Sequence, residues 1–169
     1  MLTLGDKPVA RSFTTGTSLE HSPKFSPNGR WLAYVTGEVG RSEVYVRGYP
    51  IGEPIPVSPS GGTGPVWSRD GRTLFYESPQ SGEPALMSVS VSAEGETLKL
   101  GAPVRVLSLV ASAASGGEQY GRSFNWGAEY DVFPDGSFAI SRGFTGIRSR
   151  EIVLVQHWFE ELKRQAPPR

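Results

Sequence analysis

One turn motif occurs three times in the chain, each time directly before an apolar run. The segments are FSPNGRWLAYV at 25–35, WSRDGRTLFY at 67–76 and VFPDGSFAIS at 132–141. Each turn ends in glycine, which supplies a positive φ, after an asparagine or aspartate that accepts the bridge region of backbone space. A tight hairpin with a glycine bulge is therefore predicted at each place. We name these turns the first corner (26–29), the second corner (68–71) and the third corner (133–136); Arg69 stands in the second where the other two have proline.

The spacing of the corners predicts the fold. Gly29 and Gly71 are 42 residues apart and Gly71 and Gly136 are 65 apart, so 23 additional residues precede the third unit. A unit of about 40 to 45 residues with four short strands is typical of a β-propeller blade. The chain is therefore predicted to be all-β, a propeller segment of about three four-stranded antiparallel blades with a short C-terminal helix. Residues 1–169 form this single partial propeller: a leading strand of an adjacent blade at 8–14, blades at 22–60 and 63–109, an inserted loop at 109–129, an incomplete blade at 130–156 and a short helix at 157–165.

The apolar runs predict strands that are buried on both faces. WLAYV and TLFY need not alternate with polar residues, because a strand between two blades is buried on both faces.

Three blades do not close a ring, since propellers have four to eight. Two hypotheses remain: the chain is the terminal part of a longer propeller, or a homodimer closes a six-bladed ring in which each N-terminal strand completes the other copy's last blade.

Composition excludes several function classes. With 21 glycines, 14 prolines and 11% aromatic residues, the chain is too interrupted for a helical protein. Lys and Arg together equal Asp and Glu at 17 each, so no net field favours binding to nucleic acid or to an anionic membrane. No cysteine is present, no apolar run has membrane-spanning length, and MLTLGDKPVAR does not have the pattern of an export signal. We expect no membrane insertion by this chain.

A family resemblance rests on the repeat and the C-terminal segment. PKFSPNGRWLAYVTGEVGRSEVYVRGYP, GGTGPVWSRDGRTLFYES, YDVFPDGSFAI and the terminal WFEELKR resemble the TolB-like, WD-like β-propeller repeats. More narrowly, they are similar to the C-terminal part of the sensor propellers of bacterial membrane serine/threonine kinases. The resemblance implies a binding or sensing module with a periplasmic or extracytoplasmic location. Kinase activity is not implied, because the chain has neither the glycine-rich phosphate loop nor the catalytic aspartate motifs of kinases.

No catalytic residues and no cofactor are predicted. His21 and His157 are the two histidines, and neither stands in a recognisable triad or metal-ligand spacing. GRSFNWG around Ser123 does not have the glycine spacing of a nucleophile elbow. We therefore expect that the chain is not an enzyme.

No metal site is predicted either. Asn28, Asp70 and Asp135 carry oxygen ligands that suit calcium, but each lies beside a turn glycine, where hydrogen bonding to the backbone accounts for it. The chain also has no acidic run with the alternation of a calcium loop.

The insertion is the one segment that blade geometry does not require, and it carries the predicted site. LVASAASGGEQYGRSFNWGAE begins with small residues and then places aromatic, amide and basic side chains close together. A loop of this kind either caps the propeller face and binds a ligand there, or packs as an Ω-like loop over the edge of the neighbouring blade. The predicted ligand-binding residues are Gln119, Tyr120, Arg122, Phe124, Asn125 and Trp126.

The function predicted from sequence is a noncatalytic protein- or ligand-binding or sensing propeller. Its expected partner is a protein or peptide, or a small molecule at the propeller face. The alternatives are the accessory substrate-filter propeller of a peptidase-like hydrolase, and a structural remnant that binds no ligand.

Overall fold

The computed structural model of the chain describes residues 2–3, 9–10, 12–13, 18–37, 41–78, 84–109, 128, 130–143 and 150–155. These residues form only strands and turns, so the all-β prediction is confirmed. A two-stranded ribbon pairs β1 (Leu2–Thr3) with β2 (Val9–Ala10), the latter inside the predicted leading strand. Within the described ranges, no helix has the length and apolarity of a membrane span. The predicted helix at 157–165 lies outside the described residues.

The first sheet is a four-stranded antiparallel meander. Its strands follow chain order: β3 (Glu20–Phe25), β4 (Trp31–Thr36), β5 (Glu43–Gly48) and β6 (Ile55–Pro56). A bulge interrupts β3, where Ser22 has a φ of 54°. The predicted blade at 22–60 therefore has its four strands, and β3 begins two residues earlier than expected.

The second sheet has five strands: the four that were predicted and one additional strand, β10. It contains β7 (Thr63–Trp67), β8 (Thr73–Ser78), β9 (Ala85–Glu94), β10 (Thr97–Leu100) and β11 (Val104–Ser108). The long β9 has three partners: it pairs with β8, its first half also pairs with β11, and its second half pairs with β10. The additional hairpin turns at Gly95, whose φ is 60°.

The third sheet has three strands within the described residues. They are β12 (Tyr130–Val132), β13 (Phe138–Gly143) and β14 (Arg150–Val155), paired antiparallel in chain order. Of the predicted insertion 109–129, only Leu109 and Ala128 are described.

The three sheets pack face to face in chain order, and their first strands are neighbours: β3 lies beside β7, and β7 beside β12. This is the arrangement of propeller blades. One core lies between the first and second sheets and another between the second and third. The main side chains of these cores are Trp31, Val35, Val46, Trp67, Leu74 and Met87 in the first core, and Phe75, Leu86, Tyr130, Phe138 and Ile140 in the second.

Two side chains connect the first strands of adjacent sheets. The Trp67 indole Nε1 donates to the Lys24 carbonyl oxygen at 3.0 Å, which joins the second sheet to the first. The Tyr130 hydroxyl donates to the Gly64 carbonyl oxygen at 2.8 Å, which joins the third sheet to the second. The second and third sheets are thus each joined to the preceding sheet by apolar burial and by a hydrogen bond, which is partly buried at Trp67 and buried at Tyr130.

Candidate functional site

The first corner shows the hydrogen bonds that a regular corner makes. The Ser26 hydroxyl donates to Asn28 Oδ1 at 2.8 Å and accepts from the backbone N–H of Trp31 at 3.0 Å. Asn28 Oδ1 also accepts from the backbone N–H of Arg30 at 3.0 Å. These bonds explain why serine and asparagine stand at these positions, since both satisfy backbone donors of the turn.

The second corner repeats this network with a carboxylate. The Ser68 hydroxyl donates to Asp70 Oδ1 at 2.7 Å. Asp70 Oδ1 also accepts from the backbone N–H of Arg72 at 3.0 Å, and the Ser68 hydroxyl accepts from the backbone N–H of Thr73 at 2.9 Å. The bonds from Arg72 and Ser68 lower the pKa of Asp70 below its ordinary value. The side chain is therefore an anion at neutral pH, oriented by its own corner.

The third corner departs from the other two at its first residue. Phe133 stands where Ser26 and Ser68 stand, and the residue is 45% exposed. The corner is also one residue shorter, because the Phe133 N–H reaches the Ser137 carbonyl at 2.8 Å, four residues later rather than five. Ser137 replaces the missing corner hydroxyl by donating to Asp135 Oδ1 at 2.7 Å.

The second corner differs from the other two at its second residue, Arg69. Proline at this position presets the turn in the first and third corners, as Pro27 and Pro134, but the second has Arg69. Pro27 packs against the second corner, since a Cβ at Gly71 would lie 3.5 Å from its Cδ. Arg69 is exposed and makes no hydrogen bond or ion pair within the part of the chain that the structure describes.

Both departures line one groove between the second and third corners, with a volume of about 330 Å³. We name it the corner groove. Its lining residues include one basic residue, two acidic residues and four apolar residues: Arg69, Asp70, Asp135, Phe75, Val132, Phe133 and Pro134. Sequence reasoning missed this site, although the replacement of proline by Arg69 was visible in the repeat.

The predicted insertion site is not tested, because Gln119, Tyr120, Arg122, Phe124, Asn125 and Trp126 all lie outside the described residues. The two described residues of the insertion both enter the core between the second and third sheets: Leu109 is buried there and Ala128 packs against it. The insertion precedes β12 and the third corner follows it.

The side chains considered for catalysis or metal binding make local contacts. His21 Nδ1 lies 2.9 Å from the hydroxyl of the adjacent Ser22, whereas His157 and Ser123 lie outside the described residues. Asn28, Asp70 and Asp135 hold their own corners, as predicted. Among the described residues, no group of three or more His, Asp or Glu side chains is placed to hold a metal ion.

Comparison with known proteins gives structural resemblances only. No family model matches the chain, and no curated protein matches it. The chain is similar to TolB from Acinetobacter baumannii, at 15% identity and a TM-score of 0.43 over 89% of this chain and 43% of that one. It is also similar to a putative 6-phosphogluconolactonase from Bacteroides uniformis, at 15% identity and a TM-score of 0.41 over 88% and 45%. The chain spans less than half the length of either structure.

Proposed function

We propose that the chain is a noncatalytic binding module that holds a segment of a protein or peptide partner in the corner groove. The observation that carries this proposal is that Arg69 and Phe133, the two departures from the corner pattern, line the same groove. Arginine and aromatic side chains are the types most enriched where protein interfaces gain their affinity. Departures from a local rule that gather in one place are expected at functional sites.

Each departure gives up local stability. A proline that fits its turn raises the free energy of unfolding by about 0.4–1 kcal/mol by restricting the unfolded chain, and the second corner lacks this contribution because it has Arg69. A serine hydroxyl in the corner contributes a hydrogen bond of about 0.5–1.5 kcal/mol, which Phe133 cannot form. The exposed ring of Phe133 adds apolar surface that remains in contact with water unless a partner covers it.

The size of the groove supports a peptide segment. Its volume of about 330 Å³ is at the lower end of the range of small-ligand sites, enough for one or two side chains. The groove lies between two turns at the sheet edges rather than inside a closed cavity. A partner that places one anchoring side chain in it, with main-chain contacts outside, fits this geometry.

The test is selection of binders from a displayed peptide library on the full chain, followed by affinity measurement on repeat-swap variants. Arg69→Pro and Phe133→Ser place at each position the residue found in the other corners. We expect the double variant to bind selected peptides at least about tenfold more weakly, the equivalent of about 1.4 kcal/mol, and to melt at the same temperature or higher. Selected peptides that bind the double variant as tightly as the original chain contradict the proposal.

The insertion is a second place where a ligand is predicted to bind. Combined substitution of Tyr120, Arg122 and Trp126 by alanine leaves melting nearly unchanged and abolishes a ligand interaction if the insertion is a binding loop. If it is a packed Ω-like loop, the same variant unfolds. Circular dichroism melting and peptide binding, measured on the same samples, separate the two outcomes.

The remaining predictions from sequence are not tested by the structure. Sensing and an extracytoplasmic location follow from the family resemblance alone. The homodimer that closes a six-bladed ring predicts a native mass of twice the chain at micromolar concentration, whereas a monomeric mass contradicts it. The accessory-propeller alternative predicts affinity for a separate hydrolase domain, and the structural-remnant alternative predicts that no peptide or small molecule binds.

A further inference from the structure

The first sheet has a face that points away from the second sheet, which we name the outer face. Trp31, Ala33 and Val35 of β4 lie in the core between the two sheets, so the residues that alternate with them lie on the opposite side. The strand register places three cross-strand rows on this outer face: Phe25–Leu32–Arg47, Tyr34–Tyr45 and Glu20–Thr36–Glu43. None of the other described sheets packs on it.

The accessible part of the outer face is charged and aromatic. Leu32 and Tyr34 are buried near its centre, and the rings of Tyr34 and Tyr45 stack with centroids 6.3 Å apart. Phe25 is 48% exposed. The side chains that keep exposed surface around the buried centre are Glu20, Phe25, Glu43, Tyr45 and Arg47.

The charges of the outer face are separated along β5. Arg47 and Glu43 each lie two residues from Tyr45, about 7 Å away in opposite directions along the strand. Glu20 adds a second carboxylate at the Glu43 end, since both residues pair with Thr36. The face therefore has a positive and a negative end, placed symmetrically about the tyrosine row.

Arg47 has hydrogen-bonding capacity that its own chain leaves unused. Its Nη1 donates to the Phe13 carbonyl oxygen at 3.4 Å, which is longer than usual for an N–H···O bond. Its Nε is buried and has no acceptor in the described part of the chain. Glu43 of the same copy cannot be that acceptor, because it lies four residues away, about 13 Å along the strand.

We infer that the outer face is a self-docking surface, on which the outer face of a second copy packs about a two-fold axis. The axis lies in the plane of the interface, perpendicular to the strands, and passes over the row of Tyr34 and Tyr45. The second copy is thereby reversed in strand direction, so that Glu43 of each copy faces Arg47 of the other. A carboxylate in this position takes the place of the Phe13 carbonyl and can bind the guanidinium in a bidentate manner.

The size of the outer face predicts a weak dimer. Three to four strands of about six residues form a surface about 15–20 Å on each side, which is smaller than the roughly 800 Å² that each partner buries in a standard interface. We therefore expect a Kd on the order of 10–100 µM. This dimer differs from the ring closure predicted from sequence, in which a first sheet meets a last sheet. It is also independent of the corner groove, which lies between the second and third corners.

The test is sedimentation velocity of the full chain from about 5 to 500 µM, a range that brackets the expected Kd. Arg47→Glu and Glu43→Arg each place like charges at both contacts of the two-fold interface, and we expect each to weaken the dimer at least about tenfold. An equal mixture of the two variants should associate again as a heterodimer, because each substituted side chain then faces the opposite charge on the other variant. Association of the unsubstituted chain should weaken as salt is raised.

The matched control is Lys99→Glu, which reverses an exposed charge of the second sheet that pairs with Glu94. We expect it to leave the dimer unchanged, and circular dichroism melting checks that each variant folds. Should Arg47→Glu not fold, Arg47→Gln and Glu43→Gln replace the reversals. Each of these loses both interchain ion pairs and their mixture regains one, so the mixture should associate more tightly than either variant alone.

Three results would overturn the inference. The first is a chain that stays monomeric up to about 500 µM, well above the expected Kd. The second is a dimer that neither charge reversal weakens. The third is a dimer that the reversals weaken but mixing does not restore, since Arg47 would then face another surface, as in closure of a ring between first and last sheets. None of these results bears on peptide binding in the corner groove.

Discussion

The hydroxyl of Tyr130 offers a direct test of how the third sheet is fixed to the second. Tyr130 is 6% exposed, and its hydroxyl donates to the Gly64 carbonyl at 2.8 Å across the two first strands. Tyr130→Phe keeps the ring and its packing, so only this bond is lost and the carbonyl loses its buried donor. The expected cost is about 1–3 kcal/mol of unfolding free energy, or a melting temperature lower by roughly 2–12 °C for a chain of this size.

Urea unfolding followed by tryptophan fluorescence measures this change as a lower midpoint with an unchanged slope. The matched control is Tyr45→Phe, because the Tyr45 hydroxyl donates to Glu43 at 2.9 Å on a half-buried side chain. The control is expected to change stability by no more than about 0.5 kcal/mol. If the two variants are equally stable, the reasoning that the Tyr130 bond holds the sheets together is refuted.

The same side chain predicts the response to alkaline pH. Burial raises the pKa of Tyr130 well above its ordinary value of 10.0. A phenol whose folded-state pKa is raised stabilises the fold below its unfolded pKa and loses that contribution as pH rises through the folded value. Above about pH 10, Tyr130→Phe should therefore lose less stability than the unsubstituted chain does. The variant still loses some stability at alkaline pH, because burial also raises the pKa values of Tyr34 and Tyr76.

Three further predictions concern the corners and the first core. Asp70→Asn reduces the loss of stability below about pH 5, because the pKa of Asp70 is lowered in the fold and its contribution is lost on acidification; urea midpoints against pH measure this. Gly62→Ala costs about 1–3 kcal/mol, since a Cβ would lie 2.7 Å from Ser58 Cβ and from Tyr76 Cδ2. Ser58→Ala costs about 1–3 kcal/mol and speeds exchange of the Val44 amide, which donates to this buried hydroxyl at 2.7 Å.

The substitutions at Asp70 and Gly62 each have a control elsewhere in the chain. Asn28→Asp should gain in the first corner the acid sensitivity that Asp70→Asn loses, because the hydrogen-bond donors are equivalent. Gly95→Asn, where the Cβ would meet nothing within 4 Å, is expected to change stability by at most about 0.5 kcal/mol. Failure of Asn28→Asp to acquire the sensitivity contradicts the equivalence of the corners, and a Gly62→Ala variant of normal stability contradicts the packing around Ser58.

The regular parts of the fold could be predicted because their causes are local. The glycines of the three corners have φ values of 69°, 70° and 83°, as a turn with a left-handed final residue requires. The continuous run from Trp31 to Val35 is buried throughout, which confirms that an unbroken apolar segment indicates a strand covered on both faces. The order of the strands then follows from short connections, since consecutive antiparallel strands pair.

The fifth strand of the second sheet was missed because the repeat predicts a period and not the length of each strand. The alternating Thr97–Leu100 segment follows Gly95 closely, which is a hairpin signal, and Leu98 is buried. The repeat had already assigned a third and a fourth strand on either side of it. The pairing of a long β9 with both β10 and β11 therefore requires knowledge that the period does not contain.

The corner groove could not be predicted for a different reason. Arg69 and Phe133 are 64 residues apart in sequence, and their meeting depends on the packing of the third sheet on the second. The sequence shows that Arg69 replaces a proline but gives no indication of which residues it faces. The packing of the third sheet on the second, which includes the contact between Phe75 and Phe138 with ring centroids 5.1 Å apart, brings the second and third corners together.

Residues at equivalent positions of β5 in the first sheet and β9 in the second sheet differ in chemistry, because the two strands face different neighbours. Met87 and Val89 in β9 are buried against the first sheet, and the residues 42 positions earlier are Tyr45 and Arg47. Arg47 lies over the ring of Phe13, 4.6 Å from its centroid, and donates to the Phe13 carbonyl at 3.4 Å. Tyrosine and arginine bury apolar stems while keeping polar ends, which suits a face that no described sheet covers.

The predicted ring closure must satisfy this chemistry. Arg47 Nε is buried without a hydrogen-bond partner in the described part of the chain, whereas the faces between the three sheets are apolar. A blade from a second copy that packed here as the first sheet packs on the second would place apolar residues against a guanidinium, which costs several kcal/mol when unpaired. Closure by a homodimer therefore requires an acceptor opposite Arg47, or displacement of Phe13 so that the guanidinium can turn toward solvent.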